Sequence, residues 1–156
     1  MTMDTINMEP AELHRLIVEL REIKRKFGNE EACREALFHW RWAKGYKCPE
    51  CGHTEAYFHK NRRLYECKNK DKNCRYQASI TAGTIFHRTR VPLQKWFRLI
   101  FLLLRNVNAG RLYILRETLE IRNPKTFWAM RKKISGKLAK PRMKKRLADL
   151  LEVKMD

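Results

Sequence analysis

Residues 48–74 read CPECGHTEAYFHKNRRLYECKNKDKNC, and this stretch carries the strongest structural signal in the chain. It contains two pairs of cysteines, and Pro49 and Gly52 favour a tight turn that brings the two sulfurs of the first pair together. Four thiolates match the tetrahedral coordination of Zn²⁺ in structural sites. The stretch therefore predicts one structural zinc ion, whose ligands are Cys48, Cys51, Cys67 and Cys74.

The spacing of the second pair leaves alternatives open. Cys67 and Cys74 are separated by 68–73, a longer gap than in the first pair, so the second half of the site has to loop out. His53 or His59 could replace either of these cysteines, because imidazole also binds zinc. The cysteines could instead be unrelated buried thiols. Four thiolates leave no open coordination position, so we expect the metal to support the fold and not to activate water.

Around the cysteines, short extended runs alternate with turns, and elsewhere apolar residues recur at intervals of three and four. These patterns predict strands and helices respectively. The predicted strands are 56–59, 64–66 and 76–80, and the predicted helices are 10–27, 29–42, 92–104, 111–120 and 124–138. The chain is thus predicted to be α+β, with a small four-cysteine zinc ribbon of short antiparallel strands flanked by helices and followed by a helical helix-turn-helix domain. The predicted domains are N-terminal helices in 1–44, the ribbon in 45–90, the helix-turn-helix in 91–139 and a basic C-terminal tail in 140–156.

Several residues are expected in the core. Trp96 and Trp128 lie on or beside apolar stripes, which favours burial over a role as exposed stacking platforms. Cys33 is expected to be a small buried hydrophobe without a functional role. The apolar stripe of the first predicted helix consists of Leu13, Leu16, Ile17, Leu20, Ile23 and Phe27.

The charge of the chain indicates a polyanionic partner. Lysine and arginine number 35 against 17 acidic residues, which gives a formal net charge of +18. The longest apolar run, 99–104, is too short to span a bilayer, so we expect no membrane partner. The first ten residues, MTMDTINMEP, lack the pattern of a secretory signal, and five cysteines are an odd number for a disulfide framework. The expected location is the cytoplasm, in association with the nucleoid.

The last two predicted helices fit a helix-turn-helix whose second helix enters the major groove of duplex DNA. The turn between them is 121–123, where Asn123 can cap the last helix and Pro124 suits its first position. An ordinary three-helix bundle with solvated lysines is the alternative. The residues predicted to contact DNA are Arg122, Asn123, Lys125, Thr126, Ala129, Lys132 and Lys133.

Four segments together resemble the zinc-ribbon DDE transposases of bacterial insertion sequences. They are EEACREALFHWRWAKGYKCPECG (30–52), YEC (65–67), TAGTIFHRTRVPLQKWF (81–97) and NAGRLYILRETLEIRNPKTFWAMRKKI (108–134). The resemblance covers about 27–138. It implies a zinc ribbon followed by a helix-turn-helix in which Lys125, Thr126, Trp128 and Met130 open the second helix. The gap between Cys67 and Cys74 is longer than the family's pattern.

Members of that family continue into a domain whose paired carboxylates hold two divalent metals for strand transfer. The aspartates of this chain are scattered, so we expect no such catalytic centre and no enzymatic activity. They are Asp4, Asp71, Asp149 and Asp156. The expected function is sequence-specific recognition of double-stranded DNA by a transposase-derived regulator or competitor. One alternative is a DNA-recognition subunit that serves a separately encoded catalytic chain. Another is a zinc-ribbon protein that binds RNA or a ribonucleoprotein. The partner of the chain could also be a second copy of itself, in a homodimer.

Overall fold

The computed structural model describes residues 8–155, and their elements confirm the α+β prediction. The helices are α1 (Pro10–Lys26), α2 (Glu30–Arg41), α3 (Leu93–Leu104), α4 (Ala109–Leu115), α5 (Pro124–Leu138) and α6 (Pro141–Leu151). The strands are β1 (Ala56–His59), β2 (Leu64–Cys67) and β3 (Gln77–Ser79), which form one antiparallel sheet in that order. The described chain divides into two compact units. We call 34–89 the ribbon unit, and 8–33 with 90–155 the helical unit.

Helix α3 is the centre of the helical unit. It packs against α1, α5 and α6, and a helix with neighbours on several sides must be apolar around much of its circumference. Its sequence LQKWFRLIFLLL meets that requirement, since even the consecutive residues 99–102 are buried. Trp96 is buried as expected, and so is Cys33. Of the helices in 8–155, none is both long enough and apolar enough to cross a membrane.

Helix α1 follows the predicted stripe over only part of its length. Leu16, Leu20 and Ile23 are buried, but Leu13 and Ile17 are more than two-fifths exposed, so the apolar stripe is not buried along its whole length. Arg105, at the end of α3, bonds Glu19 at 2.8 Å. The two N-terminal turns of α1 therefore extend beyond α3, which is five residues shorter.

Helix α4 ends earlier than predicted. It was expected to run to residue 120, but it stops at Leu115, and the amide of Arg116 bonds the carbonyl of Tyr113 in a tighter turn. Leu119 and Ile121 are both buried, although residues two apart cannot face the same side of a helix. The chain leaves the helix so that both can enter the core, and Glu120 adopts a positive φ of 59° on the way.

Helix α5 begins and ends as predicted. The side chain of Asn123 accepts hydrogen bonds from the amides of Lys125 and Thr126, and Pro124 occupies the first position. Trp128 corrects an expectation, because it is 39% exposed and stacks on Tyr113 with ring centroids 5.9 Å apart. Trp128 therefore lies on the flank of α5 and outside its buried row, which consists of Phe127, Met130 and Ile134.

The segment predicted as a basic tail, 140–156, contains helix α6, whose buried residues are Leu147, Ala148, Leu150 and Leu151. These residues pack with α3 and α5 in the helical unit, and α1 packs on α3 in the same unit. The ribbon unit is therefore an insertion between two parts of the helical unit along the chain. The four domains taken from the sequence remain a prediction.

The sheet of the ribbon unit has two chemically different faces. Tyr65 of β2 lies among the aromatic side chains of Phe38, Trp42, Tyr46 and Phe58, with ring centroids 4.8–6.1 Å away. Because neighbouring strand residues point to opposite faces, the register assigns the remaining positions to the other side. We call that side the polar face, and its residues are Tyr57, His59, Leu64, Glu66, Gln77 and Ser79.

Candidate metal centre

The first cysteine pair lies in a tight turn between α2 and β1. The amide of Cys48 bonds the carbonyl of His53 at 2.8 Å, and the amide of Gly52 bonds the carbonyl of Cys48 at 2.9 Å. Gly52 has a φ of +75°, a conformation that glycine adopts without steric cost. The Cys-Pro-Glu-Cys-Gly sequence thus forms the turn that its residue types predict.

The second pair reaches the same place through a looped segment, and Asn69 holds that segment in shape. Its carbonyl accepts from the amide of Cys74 at 2.9 Å, and its side-chain oxygen accepts from the amide of Lys72 at 3.2 Å. Its side-chain nitrogen lies 3.5 Å from the sulfur of Cys51. One asparagine therefore closes the wide loop and connects it to the first pair, a role that sequence reasoning missed.

The four sulfur atoms form a compact group. All lie within 4.8 Å of one another; those of Cys51 and Cys67 are 3.5 Å apart, and those of Cys48 and Cys74 are 3.9 Å apart. Tetrahedral zinc with Zn–S bonds of about 2.3 Å requires sulfurs about 3.8 Å apart. The four cysteines could therefore hold a metal ion, and the donor set and spacing fit zinc.

The histidines weighed as substitute ligands stand outside this group. Among the described residues the ligand cluster contains cysteines alone. His59 instead places Nε2 2.8 Å from a carboxylate oxygen of Glu66 on the polar face. His53 contributes its backbone, whose carbonyl accepts from Cys48.

The four thiols of the cluster differ in proton affinity. The side-chain amide of Asn69, followed by the backbone of His53, lowers the pKa of Cys51 to about 6. Burial raises the pKa of Cys67 to about 12. Burial also acts on Cys48, but the amides of Cys51 and Glu50 outweigh it and lower the pKa of that thiol. Metal binds thiolates, so coordination requires the thiols with raised pKa values to lose their protons.

The residues predicted to contact DNA lie at the start of α5 and along its outer side. Thr126 is half-buried, and the side chain of Asn123 is occupied by the cap. Lys125 and Lys132 are exposed, and no acidic side chain in 8–155 forms an ion pair with either. The remaining exposed members of the predicted set are Arg122, Ala129 and Lys133.

A groove of about 960 Å³ runs past the start of α5, and sequence reasoning did not identify it. Arg116 crosses its wall to donate to the carbonyl of Arg122 at 2.8 Å. Glu117 and Glu120 also line the groove, so its charge is mixed. Its cationic residues are Arg90, Lys95, Arg116 and Arg122.

The acidic residues of the described chain form no second metal group. Asp71 is exposed on the loop between Cys67 and Cys74, and Asp149 is exposed on α6. Asp4 and Asp156 lie outside the described residues.

Comparison with known proteins identifies the ribbon. Residues 28–77 match the family model of the transposase zinc-ribbon domain. The matched segment contains α2, β1, β2 and all four clustered cysteines, and it ends at the first residue of β3. Neither the curated proteins nor the solved structures gave a significant match to the chain. A transposase-type zinc ribbon is thus present at 28–77, as the resemblance implied for that part of the chain.

Proposed function

We propose that this transposase-type ribbon belongs to a zinc-dependent protein that recognises a specific sequence of double-stranded DNA through α4 and α5. The proposal includes one structural zinc ion, bound by Cys48, Cys51, Cys67 and Cys74. It also includes the absence of a catalytic centre. The protein would then act in the cytoplasm, on the nucleoid, as a regulator or as a competitor of a full transposase.

The outer side of α5 is the observation that carries the proposal. Lys125, Ala129 and Lys132 recur at intervals of four and three, so they lie along one side of the helix, opposite the buried row. Side chains at the start of a helix docked in the major groove reach base edges, and lysine can donate to guanine. The small Ala129 would let the helix approach the bases closely.

The start of α5 also favours phosphate. The cap of α5 already occupies its first amides, so the helix contributes its dipole and not a free N–H. The neighbouring groove adds Arg90, Lys95 and Arg122. Glu117 and Glu120 would keep phosphate to the cationic side of this groove. These contacts would fix the register of the helix on duplex DNA without reading its sequence.

The role of zinc would be to stabilise the fold of the ribbon. When bound, it would neutralise the thiolates and join the two halves of the ribbon. The four cysteines would occupy a complete tetrahedral shell, and Asn69 would orient the sulfur of Cys51. Cleavage or transfer of DNA strands would then require a partner, for example a separately encoded catalytic chain. In a homodimer, the second copy would supply a second α5 for DNA recognition.

Selection from a pool of random duplexes tests the proposal. The zinc-loaded protein is expected to retain an enriched sequence at moderate salt, and the double variant Lys125→Ala, Thr126→Ala is expected to lose that enrichment. Lys137→Ala is the matched control, because it removes one positive charge from the last turn of the same helix. Neutralising about six phosphates should make the affinity fall roughly a thousandfold between 50 and 200 mM salt.

Retention of duplexes without any enriched sequence would refute sequence recognition by α5. Equal loss of enrichment in the control variant would show that net charge, and not the first turn of the helix, determines binding. Preference for RNA over every duplex would favour the alternative role on RNA or a ribonucleoprotein. Metal-dependent nicking by the pure protein would contradict the proposed absence of a catalytic centre.

A further inference from the structure

The polar face of the ribbon sheet has no part in the proposed recognition by α5. Its central row consists of Tyr57, Glu66 and Gln77, which lie directly opposite one another on three adjacent strands. Side chains opposite each other in an antiparallel sheet lie about 5 Å apart. An aromatic ring, a carboxylate and an amide are therefore neighbours on one open surface.

Tyr57 is the exposed aromatic residue of this row. It is 54% exposed, and the ammonium group of Lys68 lies 4.4 Å from the centre of its ring. Tyr57 belongs to β1, which is an edge strand of the sheet. A flat aromatic surface beside a cation suits a nucleotide, because the base can stack on the ring while the linked phosphate meets the ammonium group.

Glu66 provides a free acceptor next to that ring. His59 Nε2 lies 2.8 Å from its Oε2, and the side-chain amide of Gln77 donates to the same oxygen at 2.7 Å. Within 8–155 no donor bonds the other oxygen, Oε1. The two neighbours hold the carboxylate in place, and Oε1 has no donor on a side chain that is 21% exposed.

Positive charge lies at the two ends of the polar face and not at its centre. Lys68 and Arg75 continue the strands at the end nearest the cysteines, and Lys60, Arg62 and Arg63 form the exposed turn between β1 and β2. The carboxylate of Glu66 lies between these groups and would repel a phosphate. A polyanion on this face would therefore place its backbone toward the ends and its uncharged bases over the central row.

We propose that the polar face binds the unpaired bases of a single-stranded nucleic acid, with Tyr57 as stacking platform and Glu66 Oε1 as acceptor. A carboxylate accepts but does not donate, so Glu66 favours the exocyclic amino group of cytosine over the N3–H of thymine or uracil, which lies between two carbonyl oxygens that the carboxylate would repel. Watson–Crick pairing hides these edges in a duplex. The polar face thus differs from α5 in its residues, and it also differs in its ligand, which is a single strand and not a duplex.

Binding of labelled oligonucleotides to the full-length, zinc-loaded protein tests the inference. Fluorescence anisotropy compares oligodeoxycytidylate with oligothymidylate of equal length above neutral pH, and oligocytidylate with oligouridylate as the RNA pair. Wild type is expected to prefer the cytidylates. Tyr57→Ala leaves net charge unchanged and should weaken binding of both members of each pair about tenfold. Glu66→Ala should abolish the preference for cytosine.

The matched control is Phe58→Ala, because Phe58 is 52% exposed and adjacent in sequence but lies on the opposite face. It should bind oligonucleotides as wild type does, and Tyr57→Phe should retain most of the affinity. Zinc content and circular dichroism establish that each variant is folded. Unchanged binding by Tyr57→Ala, or an equal loss in Phe58→Ala, would overturn the inference.

The double variant Lys125→Ala, Thr126→Ala separates this inference from the proposed function. It should lose duplex enrichment and still bind oligodeoxycytidylate, because its changes lie on α5. Loss of both activities in this variant would contradict a separate single-strand surface. The ratio between the DNA and RNA pairs shows which backbone the face accepts.

Discussion

The ribbon unit and the helical unit are stabilised in different ways. The helical unit has α3 as a continuous apolar centre, with eight buried residues in twelve. The ribbon unit has strands of three or four residues, one aromatic layer and a cluster of thiols. A three-stranded sheet of that size buries too little apolar surface to be stable alone, so we expect its fold to depend on a metal bound by the thiols. We therefore expect one chain to combine a metal-dependent unit with a unit that packing stabilises.

The largest expected effect is the loss of metal from the ribbon unit. Structural zinc contributes on the order of 10 kcal/mol to the folding of small domains. A strong chelator, or Cys48→Ala, should unfold 34–89 and leave α3 and its neighbours folded. Amide hydrogen exchange measured by mass spectrometry would show protection lost in the ribbon peptides alone.

Cys33→Ala is the matched control for that experiment, because Cys33 is the fifth cysteine of the chain, is buried and lies outside the cluster. This variant should keep one bound zinc per chain. Loss of protection throughout both units on chelation would show that the metal stabilises the whole molecule. That result would contradict the claim that only the ribbon unit depends on metal.

The next largest effect is a loss of packing in the core of the helical unit, with the ribbon unit left intact. Phe97 is fully buried and meets Phe27 edge to face at 5.0 Å. Phe97→Ala should destabilise the helical unit by about 3–5 kcal/mol through the cavity it leaves. Urea unfolding followed by tryptophan fluorescence measures this loss, and zinc content should stay at the wild-type value. A variant that no longer retained zinc would show that the ribbon unit depends on this core.

A smaller effect is the pH dependence of zinc affinity, which concerns the ribbon unit alone. The pKa of Cys67 is raised to about 12 by burial, and that of Cys74 is also raised, so both must release protons to bind metal near pH 7. Protons compete with metal, and zinc affinity should fall about tenfold per released proton for each unit of pH decrease. Competition with a chromophoric chelator between pH 7 and 6 should therefore show a loss of about a hundredfold. A constant affinity would mean that the thiols are already ionised.

The smallest effect concerns a single helix of the helical unit. Asn123→Ala removes both cap hydrogen bonds at the start of α5 and should cost about 1 kcal/mol. Thermal unfolding monitored by circular dichroism measures this loss, and Asn123→Asp should restore most of the stability. An unchanged melting temperature in Asn123→Ala would show that packing alone sets the start of α5.

The sequence predicted those elements whose signals are local. Asn123 and Pro124 mark the start of α5 by side-chain chemistry, and the Cys-Pro-Glu-Cys-Gly turn is determined by its own residues. The end of α4 could not be predicted, because it depends on Leu119 and Ile121 both entering a core formed by distant helices. The role of Asn69 and the row of Tyr57, Glu66 and Gln77 depend on loop closure and strand register, which the spacing of residues along the chain does not specify.

The insertion of the ribbon unit into the helical unit has a consequence for synthesis on the ribosome. Translation delivers α1 first, then the whole of 34–89, and only afterwards α3, on which α1 packs. The ribbon can acquire its metal and finish folding while the buried side of α1 still lacks its partner. Nascent α1 therefore exposes Leu16 and Leu20 until α3 emerges, and this interval is where a chaperone would act. We therefore expect the maturation of this protein to depend separately on metal for the ribbon and on protection of α1 until α3 emerges.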